Sequence, residues 1–493
     1  MESAVSDRRN KMKIFKRYFL AIFFAISISL FTCIAYAGTD PAEQHVGGTV
    51  VQAEPETSPN TTPATTVQTI KESLPGWFPQ VLGMQFDGIY QKMPDFHSPY
   101  QGRNSLSFQH DLGEAISQVY GVYLGSQLTP RLQAYLDIEW FRGNGISDGT
   151  GLGGYVNGDA IRSGSSNLPK DPYVARLYFR YSLPLSSETE KVERGMDQLL
   201  GDQPVSRWEV KAGKISVADD FDQNHYANNN RTQFLNFDFL YNPAWDYAAD
   251  TRGYSYGLVT ALLQPKWRLA WGVYMMPNTA NGADFDFVDT RELEYNLELT
   301  LKPYALGTVI RLLAYFNEGR MGSYDAALAL SRETATTPNL ILVNEHGGTK
   351  YGFGLNFEQP LVDDGETGIF GRIGWNDGNN ETWNYAESDL HASLGVQVNG
   401  MHWGRKKDNL GIAYGVNGLS APHQNYLAAG GMGMILGDGR LNYGYEQVLE
   451  VYYSIGFGHY IQLSPDFQFV QNPGYNRDRG PVEVYGLRLH ASF

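Results

Sequence analysis

Alternation of apolar and polar residues, repeated along most of the chain, is the feature that most restricts its fold. In the final segment, YGLRLHASF, the apolar residues Tyr485, Leu487 and Leu489 alternate with Arg488 and His490. Successive side chains of a β-strand point to opposite faces, so this pattern predicts strands with one apolar face. The pattern predicts sixteen strands: 81–90, 115–127, 131–142, 172–183, 205–216, 254–263, 267–276, 291–302, 306–317, 349–358, 367–376, 388–399, 409–417, 446–461, 466–472 and 481–493. Residues 104–110 are an alternative to the first strand, 81–90, or to the fifth, 205–216.

The connections between the predicted strands also alternate. Several are tight and contain proline, for example 128–131 and 463–466, where proline presets φ and removes a backbone donor. Between them lie long polar connections: 143–171, 217–253, 277–290, 318–348, 377–387 and 418–445. If both termini are periplasmic, the long connections fall on one side of the sheet and the tight turns on the other, with the charged insert 184–204 as the exception on the side of the tight turns. This asymmetry is typical of a transmembrane antiparallel up-and-down β-barrel with short periplasmic turns and long extracellular loops.

The composition favours a membrane barrel over a soluble β-sandwich or propeller, the alternative architectures. The chain has 54 Gly, 32 Tyr and 25 Phe. Its mean hydropathy is only −0.35, because a barrel strand needs apolar residues at alternate positions alone. Beyond the N-terminal segment, no apolar run reaches the roughly 18 residues of a transmembrane helix. We therefore predict an all-β protein of the outer membrane with about sixteen strands.

Targeting and linker segments precede the predicted barrel. A basic start, an apolar run and the small-residue cleavage site AYA predict a signal peptide over residues 1–37, with a transmembrane anchor as the alternative. The chain's one cysteine, Cys33, lies in this segment. Residues 38–76 are rich in Thr and Pro, which predicts a flexible periplasmic lead-in, and residues 77–493 form the predicted barrel domain. The net charge of −15 argues against a nucleic-acid partner.

The predicted barrel is wide enough to hold water. Sixteen strands leave an aqueous channel, whereas eight fill their interior with side chains. Charges of both signs across a narrow lumen would select polar solutes by size, dipole and hydrogen bonding. The candidate lumen charges are Arg176, Arg180, Lys211, Arg268, Arg311, Arg372 and Arg488, with Asp137, Glu139, Glu298 and Glu450. For each of these residues, the alternative is a solvated charge on the barrel wall that contacts no solute.

Two blocks of the sequence resemble the carbohydrate-selective porin (OprB) family of Gram-negative outer membranes. The first contains RTQFLN at 231–236, WDY at 245–247 and RGY at 252–254, and the second contains NPG at 472–474. The resemblance extends over about residues 80–493. It implies a sixteen-stranded barrel that forms a water-filled channel for monosaccharides and other small polar solutes.

Aromatic and polar residues of the long loops suit a sugar ligand. Aromatic planes contact the C–H faces of a sugar, while charged and amide groups bind its hydroxyls. Trp245, Asp246 and Arg252 are therefore candidates for solute contact, and Trp383 is a second loop aromatic that could fold inward. The alternative is that this block packs the loop into the barrel as a plug, and both roles are compatible.

Several other functional classes are alternatives to a sugar channel. The motifs G-x-S-x-G and H-E-x-x-H are absent and the ten His residues are scattered, so a barrel-embedded hydrolase is an alternative without a motif. Asp219, Asp220 and Asp222 lack the Gly and distal Glu of a calcium loop and are interpreted as a solvated acidic loop. No cofactor or metal is expected. The remaining alternatives are a porin for anionic solutes and a barrel that is plugged shut.

The last strand predicts partners outside the lumen. Phe493 ends the chain after alternating apolar residues, which resembles the signal read by the outer-membrane assembly machinery. Phe493 is expected at the periplasmic interface. The apolar residues of this strand are expected to contact outer-membrane lipids and lipopolysaccharide, and Arg488 and His490 are expected to face water in the lumen.

Overall fold

The computed structural model describes residues 78–109, 112–161, 171–288, 291–303, 307–383 and 385–493. The predicted signal peptide and lead-in lie outside these ranges. Within them, no helix has both the length and the apolar character to cross a membrane.

The described residues form eighteen strands, most of them part of one closed sheet. The strands are β1 (Val81–Lys92), β2 (Glu114–Thr129), β3 (Leu132–Gly143), β4 (Tyr173–Pro184), β5 (Thr189–Val192), β6 (Gly201–Pro204), β7 (Arg207–Ile215), β8 (Ser255–Gln264), β9 (Trp267–Met275), β10 (Leu293–Leu301), β11 (Val309–Gly319), β12 (Gly348–Val362), β13 (Thr367–Asn376), β14 (Leu390–Asn399), β15 (Asn409–Gly418), β16 (Glu446–Phe457), β17 (Ile461–Gln471) and β18 (Val482–Ser492). Sixteen of them close an antiparallel barrel in chain order, with β4 pairing to β7 because β5 and β6 form a separate hairpin. The predicted fold class and strand number are confirmed. Residues 104–109 form a loop, so the alternative strand there is wrong.

The first and last strands pair to close the barrel. Phe86 of β1 lies opposite Ala491 of β18, and the N–H of Phe493 donates to the carbonyl of Met84 at 2.9 Å. The ring of Phe493 stacks on Tyr460 with 5.4 Å between centroids. Closure removes the free strand edges that lipid could not satisfy.

Short turns and long loops lie at opposite ends of the barrel, as the sequence predicts. The short connections are 130–131, 265–266, 302–308, 363–366, 400–408 and 458–460. The long connections are 93–113, 144–172, 216–254, 276–292, 320–347, 377–389, 419–445 and 472–481. The end with short turns is periplasmic in barrels of this kind, and the long loops are extracellular.

The predicted turn at 463–466 is wrong, because these residues lie inside β17. Tyr452 pairs with Asp466 and Ile455 with Leu463, and the ladder between these pairs is interrupted next to Pro465. Proline has no N–H to donate to a neighbouring strand. The LSPD segment therefore marks an interrupted ladder, and the chain reverses earlier, at 458–460.

Alternate residues of each strand face outward and toward the interior. On β4, Leu177 and Phe179 are each 50% exposed on the outside, whereas Tyr178 and Arg180 are buried inside. The same alternation holds on β18, where Leu487 is exposed. The predicted outward direction of the apolar face is confirmed.

The inner face, however, is not a continuous water-lined wall. Toward the extracellular end, inward-facing Val448 and Val482 belong to one apolar cluster with Phe234 and Phe239 of the 216–254 loop. The loops therefore occupy much of the lumen. Water has access only to the space that they leave.

Three α-helices lie in the described loops, each after a polar N-cap: α1 (Phe237–Leu240), α2 (Tyr324–Thr334) and α3 (Ala421–Ala428). Asn236, Ser323 and Ser420 accept a backbone N–H of the first turn of these helices, which satisfies a donor that the helix itself leaves unpaired. Short 3₁₀ segments are Ile146–Gly149, Val217–Asp219, Leu340–Val343, Asp363–Gly365, Gly400–Trp403 and Pro473–Tyr475.

Candidate functional site in the barrel lumen

The extracellular loop 216–254 forms one wall of the remaining lumen, and Arg372 of β13 holds it in place. The Nε of Arg372 donates to Asp222 Oδ2 at 3.0 Å, Nη1 donates to the carbonyl of Phe239 at 2.8 Å, and Nη2 donates to the carbonyl of Ala227 at 2.8 Å. Only 1% of Arg372 is exposed. Arg372 is therefore a structural anchor of the loop.

Arg488 of β18 has the same role on the opposite side of the loop. Its Nη1 donates to the carbonyls of Asn230 and Gln233 at 2.6 and 2.7 Å. Arg488 points inward as predicted, but it is 1% exposed and His490 is 6% exposed. The expectation that both face lumen water is wrong, because the folded loop covers this section of the wall.

The WDY block also packs the loop into the barrel. The Nε1 of Trp245 donates to Asn296 Oδ1 at 3.0 Å, and the Nζ of Lys350 lies 3.2 Å from Asp246 Oδ2. Trp245 is 2% exposed and Trp383 is fully buried. Trp245, Asp246 and Trp383 therefore pack the loop into the barrel as a plug. Their side chains are buried and do not face the space open to a solute.

Among the residues that the structure describes, two large cavities lie inside the barrel. The extracellular cavity has a volume of about 480 Å³. Its charged lining residues are Glu139, Asp159, Arg176, Asp197, Lys211, Asp219, Arg231 and Arg252. Five loop tyrosines form another part of its wall: Tyr155, Tyr241, Tyr247, Tyr254 and Tyr385. This cavity combines charges of both signs with aromatic surface.

A cluster around Arg231 shapes the extracellular cavity. Nη1 of Arg231 lies 3.0 Å from Glu139 Oε1, and Nε lies 3.1 Å from Asp159 Oδ1. Tyr254 donates its hydroxyl to Glu139 Oε2 at 2.6 Å. Burial raises the pKa of Asp159 to about 7, although Arg231 opposes this rise. This carboxyl therefore changes charge near neutral pH.

The periplasmic cavity lies below, with a volume of about 390 Å³. Several of its basic residues are held by acidic or amide groups. Arg180 donates from Nε to Gln133 Oε1 at 2.8 Å, Arg268 Nη1 lies 3.7 Å from Glu298 Oε1, and Arg311 is paired in the same way. The charged lining residues are Arg180, Glu190, Arg207, Glu209, Lys211, Asp219, Asp220, Arg268, Glu298, Lys302 and Arg311.

The two cavities adjoin, since Lys211, Asp219 and Gln223 line both. Arg176 lies at this junction. Its Nε and Nη2 each donate to the Asp219 carboxylate at 2.7 Å, and Nη1 donates to Asp137 Oδ2 at 3.1 Å. Such a bidentate pair fixes the geometry of the guanidinium. We define the junction as Arg176, Lys211, Asp219 and Gln223.

The structure thus divides the predicted site residues. Lining one or both cavities are Arg176, Arg180, Lys211, Glu139, Arg252 and Arg311. Buried behind the wall or against the loop are Asp137, Trp245, Asp246, Arg372 and Arg488. The interpretation of Asp219 and Asp220 as a solvated acidic loop is wrong, because both lie in the lumen and form ion pairs with basic residues of the wall. Lys211 Nζ, for example, donates to Asp220 Oδ1 at 2.8 Å.

Sequence reasoning missed several lining residues. Arg231 and Tyr254 belong to the motifs RTQFLN and RGY, yet nothing in their spacing indicates that both contact Glu139. Asp159 and Asp197 lie in polar connections without a motif. In the part of the chain that the structure describes, no group of three or more His, Cys, Asp or Glu residues is arranged to hold a metal ion.

Comparison with known proteins bears on this site. Residues 127–493 match the sequence profile described as carbohydrate-selective porin, OprB family. Porin AaxA of Chlamydia pneumoniae is 48% identical over 48 residues, and porin AaxA of Chlamydia felis is 42% identical over 48 residues. Each alignment covers 10% of this chain and spans only 11% of the relative's length.

A solved structure shares the whole barrel. The high-pH structure of OprB from Pseudomonas putida superposes with a TM-score of 0.63 at 13% sequence identity. The alignment covers 84% of this chain and 94% of that chain. At this identity, the likeness shows a common fold.

Proposed function

Because this chain belongs to the OprB family of carbohydrate-selective porins, and is therefore an outer-membrane channel rather than an enzyme, we propose that it conducts monosaccharides and other small polar solutes through its two lumen cavities. The solute would enter the extracellular cavity, cross the junction at Arg176 and leave through the periplasmic cavity.

The observation that carries this proposal is the pairing of charges along the route. Arg176 with Asp219, Lys211 with Asp220 and Arg268 with Glu298 place donors and acceptors side by side. A neutral polyhydroxyl solute can exchange hydrogen bonds with both partners of such a pair, whereas an ion meets attraction and repulsion together. Loop tyrosines add apolar planes suited to the C–H faces of a sugar ring.

Selectivity for anionic solutes, the alternative, has less support. It would be favoured by basic side chains without acidic partners in the lumen. Arg180, which is held by Gln133 and Tyr135, is such a side chain, but other lumen arginines have acidic partners. Arg311 lies 3.3 Å from Glu358 Oε2, and Arg207 lies 2.6 Å from Glu209 Oε1. The paired arginines therefore favour neutral polar solutes.

We further propose the organisation of the chain around this channel. Residues 1–37 would direct export and be removed, 38–76 would form a periplasmic lead-in, and 77–493 would form the barrel. The outward-facing apolar residues would contact outer-membrane lipids and lipopolysaccharide. The C-terminal strand with Phe493 would be read by the outer-membrane assembly machinery.

Liposome swelling with a series of sugars tests the proposed solute class. We expect monosaccharides to enter faster than disaccharides, and we expect Arg176→Ala/Arg180→Ala to alter the rates, since both arginines line the route. The matched control is Arg131→Ala/Lys406→Ala, which removes two exposed basic residues from periplasmic turns. Equal entry of all solutes of one size would reduce the protein to a general porin, and strong anion selectivity in planar bilayers would support the alternative.

A further inference from the structure

One periplasmic connection differs from the others, the one that joins β4 to β7. Residues 185–206 continue as a two-stranded ribbon instead of a short turn, with Leu185 N donating to Ser206 O and Val205 N to Glu188 O, each at 2.9 Å. Beyond these bonds, β5 and β6 pair from Thr189 to Val192. We call residues 185–206 the periplasmic hairpin.

The periplasmic hairpin folds inward at its base. Arg207, the first residue of β7, is 9% exposed on the inner face of the barrel. Its Nη1 donates to the carbonyl of Pro204 at 2.8 Å and to Glu190 Oε1 at 3.1 Å. A single arginine thus joins the wall to both strands of the hairpin and directs the ribbon into the lumen.

The tip of the hairpin packs against the inner wall. Leu199 is 7% exposed and belongs to an apolar cluster with Val81, Tyr135 and Tyr178. The adjacent Gln198 accepts a hydrogen bond from Arg180 Nη1 at 3.2 Å. Apolar burial and a charge-assisted hydrogen bond together hold the tip in the lumen.

Farther around the barrel, the tip reaches β1. The Sδ of Met196 lies over Gly83, so close that a Cβ at this position would be 2.5 Å from the sulfur. Arg194 donates from Nη2 to the carbonyl of Leu82 at 2.5 Å. The hairpin therefore extends from β4 and β7 to β1 across the intervening wall.

The tip also reaches the junction of the two cavities. Asp197 Oδ2 lies 3.9 Å from Arg176 Nη1, the guanidinium that Asp219 binds from the extracellular loop. Met196 and Asp197 line the extracellular cavity, and Gln198, Gln203 and Val205 line the periplasmic cavity. The hairpin thus bounds both cavities where they adjoin.

We propose that the periplasmic hairpin is the periplasmic half of the pore's constriction, with loop 216–254 as the extracellular half. In this arrangement Met196 limits the width of the passage, and the carboxylate of Asp197 sets its charge together with Asp219. A fixed charge at a narrow, low-dielectric section has a strong effect on permeating ions. The inference rests on the chain being a porin and does not depend on which solutes it selects.

Shortening the periplasmic hairpin tests its effect on the width of the pore. Replacing residues 187–204 by Asn-Gly leaves Ser186 and Val205 joined by a two-residue turn of the kind that connects antiparallel strands. We expect single-channel conductance to rise by at least about twofold, because the tip no longer occupies the lumen. Unchanged conductance of a folded variant, with folding checked by heat-modifiable gel migration, would overturn the proposal.

Chemical modification keeps the proposal testable if the shortened barrel does not fold. In a Cys33→Ser background, Asp197→Cys is treated with a negatively or a positively charged methanethiosulfonate reagent. The matched control is Asp202→Cys, an exposed position of the same hairpin that does not line either cavity. We expect both reagents to lower the current of the Asp197→Cys channel by about half or more and the two charges to shift its ion selectivity in opposite directions.

The modification experiment has two outcomes against the proposal. Current through the Asp197→Cys channel could stay unchanged after complete modification, or the Asp202→Cys control could respond to the same extent. Neither result depends on sugar entry. If swelling shows no preference among sugars while modification at position 197 reduces the current, only the proposed solute class fails.

Discussion

Asp219 receives two hydrogen bonds from Arg176, from Nε and from Nη2, each 2.7 Å long. The two residues come from different parts of the barrel, since Arg176 lies on β4 and Asp219 on the extracellular loop 216–254. The pair thus joins the loop to the wall at the junction of the two cavities. It also neutralises most of the charge that Arg176 would present to a solute.

Removing the charge of Asp219 should make the pore more selective for anions. Asp219→Asn keeps a hydrogen-bond acceptor beside Arg176 but leaves the guanidinium with less neutralising charge. The reversal potential in a salt gradient should move toward that of chloride. Asp325→Asn, which removes an exposed carboxylate in the first turn of α2, is the control. Equal reversal potentials for Asp219→Asn and wild type would show that the pair does not contact the conduction path.

Replacing Arg372 should loosen the extracellular loop without removing a charge from the cavity lining. Arg372→Ala removes the cationic partner of the buried Asp222 carboxylate and one donor from each of two loop carbonyls. Losing one partner of a buried ion pair typically destabilises a protein by about 3–5 kcal/mol. We expect a lower unfolding midpoint and noisier, larger single-channel currents. Arg131→Ala at an exposed turn is the control, and a variant with wild-type stability would contradict the anchoring role.

Ion selectivity should depend on pH near neutrality through Asp159. Burial raises the pKa of this loop carboxyl to about 7, opposed by Arg231 and assisted by neighbouring Asp87 and Glu139. As the pH rises from 6 to 8, Asp159 ionises and the extracellular cavity becomes more negative, so preference for cations should increase.

The same pKa shift has a defined sign for stability. A carboxyl whose pKa is raised on folding favours the folded state most at low pH, and this contribution is lost as the pH rises through the folded value near 7. Asp159→Asn cannot ionise and should show a smaller change in reversal potential and in unfolding midpoint between pH 6 and 8. The same pH dependence in the variant and the wild type would exclude Asp159 as the titrating group.

Deleting Phe493 should impair assembly more than conduction. Its N–H donates to Met84 O at 2.9 Å and its ring stacks on Tyr460 at the periplasmic end, and Phe493 is not among the residues that line either cavity. We expect less folded barrel in the outer-membrane fraction but wild-type single-channel conductance from the barrels that form. Tyr460→Ala separates loss of the stacking contact from loss of the terminal aromatic. Normal assembly of the deletion variant would contradict the proposed role of the C-terminus.

The strand arrangement was predictable from local pattern. Period-two alternation assigned Leu177 and Phe179 to the outer face and Arg180 to the interior, and the structure agrees. The pattern is informative because the pleat of a strand alternates regardless of what surrounds it. Loop length assigned the two ends of the barrel in the same way. Proline spacing misled at one position, since Pro465 interrupts a ladder without turning the chain.

The candidate site depended on contacts that local pattern does not encode. Arg176, Arg372 and Arg488 are equivalent by alternation, yet the first lines a cavity and the other two are buried under a loop. Their separation follows from where loop 216–254 folds inside the barrel, and from Asp197 arriving at Arg176 on the periplasmic hairpin. The sequence by itself determined the barrel and the inward direction of its charges, because strand geometry is local. Tertiary structure alone decided which inward charges meet water, because the groups that cover or neutralise them come from loops distant in the chain.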